Sequence, residues 1–138
     1  MNHALTFSHL LTYDTSLSGI SLEVEIGVVG KATKLPAKID TGSTNCVFAR
    51  QHGEQIGLNI EDGEMVRIGT AVGSFTTYRH FVTLRFLDFS YDAGICFAAD
   101  ENFNRNVLGR NWFLNQVLLG LNDYEGELYL SSLAELWN

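Results

Sequence analysis

The stretch Ile39-Asp40-Thr41-Gly42-Ser43-Thr44 has the residue types that can hold a reactive carboxylate. Asp40 leaves an apolar stretch and enters a turn of small residues, in which Gly42 lets the backbone approach the carboxylate closely. Amide groups of the turn and the Ser43 hydroxyl can then donate hydrogen bonds to its oxygens and hold it ionised. Such a carboxylate is suited to general acid–base catalysis. The same residues are equally typical of a plain Asx turn, so the motif alone leaves both interpretations open.

Two further stretches follow this turn in an informative order. The segment Ile68–Phe75 contains a tight turn, Val72-Gly73-Ser74, between two strand-like runs, which predicts a hairpin. Farther along, Asn106–Asn111 is an apolar pair followed by glycine and arginine, with asparagine at each end. The aspartyl turn, the hairpin and this last segment, in this order and at these spacings, resemble the retropepsins, the single-lobe aspartic proteases of retroviral type. The resemblance covers roughly Ser21 to Leu130.

The resemblance implies an all-β, pepsin/retropepsin-like half-lobe, a closed barrel with one short helix after the apolar-apolar-Gly strand. It also implies an aspartic-type endopeptidase that hydrolyses extended peptides. The resemblance implies that Asp40 is catalytic and that Val107 and Leu108 form pocket walls and also pack under the catalytic turn. The other implied roles are an active-site turn of Thr41, Gly42 and Ser43, a flap at Ala71, Val72 and Gly73, and a structural or dimer-bracing role for Gly109 and Arg110.

The number of suitable carboxylates predicts a homodimer. Peptide hydrolysis by this chemistry needs two carboxylates about 3 Å apart that share one proton, because like charges at that distance cannot both ionise. The chain has one Asp-Thr-Gly, no second aspartate has a comparable setting, and 138 residues leave no room for a second lobe. A second copy, related by a twofold axis, would supply the other Asp40. The expected partners are therefore this copy and a peptide or protein substrate, with no cofactor and no metal.

Three positions depart from the retropepsin pattern. Ser43 replaces the usual alanine, and its hydroxyl, as a donor to the carboxylate, would shift the pH optimum toward acid. Thr44 replaces an acid that normally pairs with the arginine, so Arg110 needs another acceptor. Lys38 stands at a substrate-pocket position that is usually apolar. Either its stem lies along an edge strand with the ammonium in water, or the ammonium biases the pocket toward acidic or polar side chains and keeps Asp40 ionised.

Strand patterns dominate the segments that must position these residues. Leu22, Val24 and Ile26 alternate with polar residues, which is the period of a half-buried strand. Many short runs with glycine-containing turns predict a closed or partly closed all-β barrel. Arg50–Ile56 predicts one short internal helix, and a serine cap predicts a possible short C-terminal helix over Leu133–Trp137. Further strands are expected at Lys34–Asp40, Met65–Ile68, Phe75–Leu87, Tyr91–Ala98, Val117–Leu121 and Glu127–Leu130.

Composition bounds the class of protein. With 46% apolar and 18% charged residues, the chain predicts one folded domain over residues 1–138, with a core of about 21–130 and an N-terminal extension, 1–20. A net charge of −7 with scattered basic residues argues against nucleic acid. No signal peptide or spanning stretch is recognised, so no membrane contact and a cytoplasmic location are expected. Cys46 and Cys96 favour two buried free thiols over a bridge.

Two functions from different classes follow. The first is an active homodimeric aspartic endopeptidase. The alternative is a catalytically silent retropepsin-like module that binds extended peptide or dimerises. The complete Asp-Thr-Gly-Ser and the hairpin favour the enzyme. A generic β-barrel ligand binder would not explain why the turn at Asp40 and the segment Asn106–Asn111 occur together.

Overall fold

Strands make up most of the computed structural model, which describes residues 1–133. Their alternating apolar side chains produce the extended segments that the sequence predicts. In this part of the chain the elements are β1 (His9–Thr12), β2 (Ser21–Val28), β3 (Lys31–Ile39), β4 (Val47–Phe48), α1 (Arg50–Gln55), β5 (Glu64–Thr70), β6 (Gly73–Phe86), β7 (Phe89–Ala98), β8 (Val107–Leu108), β9 (Val117–Asn122), β10 (Glu127–Ser132) and two 3₁₀ helices, Ile60–Asp62 and Leu114–Gln116.

Seven of these strands form one sheet in the order β2-β3-β8-β4-β7-β6-β5. An additional pairing of β2 with β6, in which Ile26 lies opposite Leu84, closes the first six strands into a barrel. β5 stays outside the ring and pairs only with the first half of β6, so the two strands form a hairpin that projects from the barrel. The predicted closed, all-β half-lobe is confirmed.

The core lies inside this barrel and follows from the residue pattern. Leu22, Val24 and Ile26 of β2 are buried, and the charged residues between them face outward or lie half-buried. β7 is buried at every position from Ala93 to Ala98, as expected of a strand covered on both faces. Large aromatic side chains fill the centre, and burial of one phenylalanine contributes about 1.5–3 kcal/mol. Those that are fully buried are Phe48, Phe97 and Phe113.

Proline in β3 has a positional explanation. β3 pairs with β2 along its whole length but with β8 only at Lys38 and Ile39. Pro36 precedes that short parallel pairing and is exposed, so its missing N–H interrupts no bond to β8. Pro36 therefore has an edge-like position on the β8 side of the strand.

A second, three-stranded sheet has the order β1-β10-β9. β1 pairs with β10 from His9 opposite Leu130 to Thr12 opposite Glu127. This strand was not predicted, because four residues with Leu10 exposed and Leu11 half-buried give too short a pattern. Among the described strands, β1 and β9 each have one unpaired edge.

The helices differ in detail from expectation. The helix after the apolar-apolar-Gly strand is the single 3₁₀ turn Leu114–Gln116, because Trp112 has a left-handed backbone (φ 73°) that an α-helix cannot contain. α1 matches the predicted Arg50–Ile56 to within one residue. Of the helix expected over Leu133–Trp137, only Leu133 belongs to the described residues, and the rest lies outside them.

Candidate active site

The aspartyl turn begins where two parallel strands end side by side. Asp40 directly follows β3, and its backbone N–H donates to the carbonyl of Leu108 at the end of β8 (2.9 Å). The turn closes on itself when the Ser43 N–H donates to the Asp40 carbonyl (3.1 Å). The carboxylate is thereby carried to the surface on a rigid support, and Asp40 is exposed.

One backbone amide orients the carboxylate. The Gly42 N–H donates to Asp40 Oδ1 at 2.9 Å. A Cβ at position 42 would lie 3.2 Å from the same oxygen, so the absence of a side chain permits this close approach. The second carboxylate oxygen is left available for a substrate, a water or a second acid.

The Ser43 hydroxyl does not contact the carboxylate, which corrects the sequence expectation. Its Oγ donates to the carbonyl of Asn45 (2.7 Å), two residues farther along. A local side-chain to backbone bond within the turn competes with the longer reach to Asp40. Ser43 therefore braces the turn and adds no second donor to the acid.

We expect Ser43→Ala to lower the free energy of unfolding by about 1 kcal/mol, the usual loss for one hydrogen bond. The acidic limb of the pH–rate profile should stay where it is in the wild type, because the hydroxyl does not contact Asp40. Denaturant unfolding and a pH–rate series measure the two effects. A shifted acidic limb with unchanged stability would contradict the observed contact.

The backbone of residues 109–111 lies directly beneath the turn. The Arg110 N–H donates to the Ser43 carbonyl (2.8 Å), and the Asn111 N–H donates to the Thr44 carbonyl (2.9 Å). Gly109 is buried there, and a Cβ on it would lie 2.6 Å from the Ser43 carbonyl oxygen. Only glycine fits this approach, so the turn and the segment after β8 form one unit.

The two residues of β8 that were expected to line a pocket lie in different surroundings. A cleft of about 670 Å³ opens beside Asp40, and Val107 lines it. Leu108 is fully buried in the core and does not line the cleft, so of its two predicted roles the structure shows only packing beneath the turn and not the pocket wall. Successive side chains of a strand point to opposite faces, which allows one of the pair into the cleft. The lining residues are Ser18, Gly19, Ser21, Pro36, Lys38, Ile39, Asp40, Asn104, Arg105, Asn106 and Val107.

The loop of residues 99–106, which supplies one wall of the cleft, is anchored at three points. Arg50 donates to the Ala99 carbonyl (2.7 Å) and also pairs with Glu61 (2.7 Å). In the middle of the loop, Phe103 stacks on Phe75 with ring centroids 5.1 Å apart. The Phe75 contact ties this wall to the projecting hairpin. The sequence reading assigned no role to this loop.

Asn106 forms the third anchor of the loop. Its side chain accepts from the Ala49 N–H (3.0 Å) and donates to the Pro36 carbonyl (3.2 Å). The same amide nitrogen lies 3.2 Å from Nε2 of His52 on α1. Asn106 therefore connects the start of α1, β3 and the cleft wall. No local sequence pattern predicts this role.

The hairpin expected to act as a flap is present, with its turn one residue earlier than predicted. Ala71 and Val72 form the two-residue loop, and Gly73 is the first residue of β6, with φ 149°. Val72 is fully exposed at the tip. None of the three lines the cleft beside Asp40 in this single chain, and the flap role stays a prediction.

The remaining predicted residues lie on the surface. Thr41 and the Arg110 side chain are exposed. Within residues 1–133, the structure shows no hydrogen bond or ion pair of the Arg110 guanidinium. A part in dimer contact therefore stays a prediction for both residues.

Both cysteines are free and buried, as the sequence favoured. Burial raises the pKa of the Cys46 thiol to about 12, and it also raises the pKa of Cys96. A thiol that stays protonated is a poor nucleophile. Cys46 lies beneath the turn, where it accepts from the Gly109 N–H (3.4 Å), and it belongs to the packing there.

His52, which lies beside Asn106 of the cleft wall, makes the stability of the protein depend on pH. Burial lowers its pKa below the usual value of 6.5, so the folded protein holds His52 neutral at a pH where the unfolded chain is protonated. Stability is therefore expected to fall as the pH drops below about 6.5 toward the folded-state pKa. His52→Gln should make the loss of unfolding free energy between pH 7 and pH 5 smaller. An equal loss in both proteins, measured by denaturant titration, would contradict this.

Comparison with known proteins supports the interpretation of the turn and barrel. The family model described as "Aspartyl protease" matches residues 22–112, which include the turn, the hairpin and the segment after β8. This chain belongs to the aspartyl protease family. The matched span begins in β2 and ends just past the glycine beneath the turn, so it contains the whole barrel.

A solved structure shares the fold of this aspartyl protease family member. It is "EIAV protease complexed with the inhibitor HBY-793", with a TM-score of 0.56, 21% sequence identity, and coverage of 72% of this chain and 88% of that chain. The retropepsin-like fold is thereby confirmed. No curated protein matches the sequence. Within residues 1–133, no helix is long and apolar enough to cross a membrane, and no group of acidic, histidine and cysteine side chains is arranged to hold a metal ion.

Proposed function

We propose that this protein is an aspartic endopeptidase that acts as a homodimer on extended peptides. The observation that carries the proposal is the setting of Asp40. It is exposed at a rigid turn, and it is the only carboxylate that lines the cleft in the described part of the chain. An acid pair is needed for the chemistry, and a twofold contact between two copies would place one Asp40 beside the other.

In the dimer, one Asp40 carboxylate is ionised and the other is protonated. The ionised group takes a proton from a water whose oxygen bonds to the scissile carbonyl carbon, while the protonated group donates its proton to the carbonyl oxygen. The two acids have then exchanged roles. The newly protonated acid donates to the leaving nitrogen as the C–N bond breaks, and the other takes a proton from a diol hydroxyl. The pair returns to its first state, with no covalent enzyme intermediate.

The residues around Asp40 supply the supporting contacts. Thr41, exposed beside the acid, would hydrogen-bond across the twofold axis, and Arg110 would brace the same contact. The Gly42 carbonyl would accept from the substrate backbone. The hairpin tip at Val72 would close over the peptide as a flap, adding main-chain hydrogen bonds and excluding water. The unpaired edges of β1 and β9 offer a further place where strands of two copies can join.

Digestion of a mixed peptide library at acid pH, with and without a pepstatin-type inhibitor, tests the proposal. We expect the inhibitor to block cleavage. We also expect the cleavage rate per chain to rise with protein concentration, because the active site is shared by two copies. Sedimentation at the same concentrations gives the fraction of dimer. Dimer formation without cleavage would support the silent peptide-binding module instead, and full activity in a strictly monomeric sample would exclude a shared site.

A further inference from the structure

Two basic side chains line the cleft beside Asp40. Lys38 lies two residues before the acid on β3, and Arg105 lines the same cleft from the loop of residues 99–106. Both residues are exposed. The residue opposite Lys38 in the β3–β8 pairing is Val107, which also lines the cleft, so the two cations flank an apolar surface.

Neither cation has an acidic partner in the described part of the chain. Among the described residues only three of the nine basic side chains, Arg50, Arg79 and Arg85, pair with a glutamate, at 2.7–3.3 Å, so the distinctive feature of Lys38 and Arg105 is their shared place in the cleft. The protein has only nine basic residues against sixteen acidic ones. Two unpaired cations in one cleft of an acidic protein produce a local positive potential, and the surrounding negative surface repels acidic peptides elsewhere.

We infer that the cleft selects peptides with an aspartate or glutamate side chain next to the bond that is cut. This inference rests on the proposed protease function. The substrate carboxylate would lie between the Lys38 ammonium and the Arg105 guanidinium, and its methylene groups would contact Val107 and Ile39. Because a twofold dimer contains the cleft twice, the same preference applies on both sides of the scissile bond.

The preference should depend on pH in a defined direction. The charged groups of this chain that line the cleft are Lys38, Arg105 and Asp40. A free glutamate side chain ionises near pH 4.3. Discrimination of glutamate from glutamine should therefore increase from about pH 3.5 to about pH 6, as the substrate gains its charge.

Three peptides that differ only in having Glu, Gln or Leu before the scissile bond provide the test. For the wild type, kcat/KM for the Glu peptide should exceed that for the Gln peptide by about three- to tenfold near pH 6, the amount expected of two exposed charge pairs. The double variant Lys38→Met/Arg105→Gln should lose this ratio. Lys34→Met, four residues earlier on the same face of β3 and outside the cleft, should keep it.

Equal cleavage of the Glu and Gln peptides by the wild type, or an unchanged ratio in the double variant, would overturn the inference and leave the protease function standing. If no peptide is cleaved, the protease proposal fails by itself. Binding of labelled Glu and Gln peptides to the Asp40→Asn protein, measured by fluorescence anisotropy, then decides the selectivity separately. Tighter binding of the Glu peptide than of the Gln peptide, together with loss of this difference in the double variant, supports the selectivity. Equal binding of the two peptides, or no binding, overturns it.

Discussion

Replacing Asp40 with asparagine is expected to lower kcat/KM for peptide cleavage by at least about 10³-fold, the upper range for loss of a general acid–base group. The variant should fold normally, because Asn can still accept the Gly42 N–H through its side-chain oxygen and the exposed carboxylate has no other hydrogen bond or ion pair among residues 1–133. Circular dichroism and initial-rate kinetics measure the two properties. Asp92→Asn, an exposed aspartate of β7 that accepts from Thr83, is the matched control and should retain activity.

Mixing the Asp40→Asn chain with the wild type separates a shared site from a site within one chain. After subunit exchange in an equal mixture, random pairing leaves the wild-type chains with about half of the activity that they have alone, because mixed dimers carry only one acid. A monomeric enzyme would lose nothing. Activity that stays constant in a sample shown to exchange would therefore contradict the dimer mechanism.

Gly109→Ala is expected to have the second largest effect. The added Cβ would lie 2.6 Å from the Ser43 carbonyl oxygen, and this neighbour is backbone, so the aspartyl turn itself must move. Overpacking of this kind costs about 1–3 kcal/mol in unfolding free energy. A displacement of Asp40 by about 1 Å would lower catalysis by about 10²-fold even in the folded fraction.

Denaturant midpoints and kcat/KM together test the role of this glycine. Gly69→Ala serves as control for stability, since a Cβ at that position meets nothing within 4 Å. Similar free energies of unfolding for the two variants would show that the aspartyl turn can move without destabilising the protein. Loss of activity together with loss of stability, in Gly109→Ala only, is the expected result.

Much of the architecture could be predicted from the residues alone, because its signals are local. The alternation in β2 and β6 requires one buried face, and this predicts strands whatever their partners are. The small residues around Asp40 predict a tight turn with an amide close to the carboxylate, and the Gly42 contact has this geometry. The helix that begins at Arg50 is also predicted from local signals, because the residues that begin and end it lie within the segment itself.

Other features depend on residues that are far apart in sequence. The burial of Leu108 is decided by the side of β8 that faces the core. β1 exists because β10, more than a hundred residues away, offers it an edge. The presence of Lys38 and Arg105 in the lining of one cleft has no sequence signal at all.

The order of residues was thus sufficient for the aspartyl turn and the strand pattern, since each arises from the conformational preferences of a few neighbours, whereas the proposed chemistry rests on the resemblance to the retropepsins. Which side chains line the same cleft is decided only when the strands pair into the closed barrel. Strand pairing brings distant segments within bonding distance, and side-chain direction in a strand reverses at every residue, so the lining of the cleft depends on register. Register is a property of the whole sheet, and no single segment contains it.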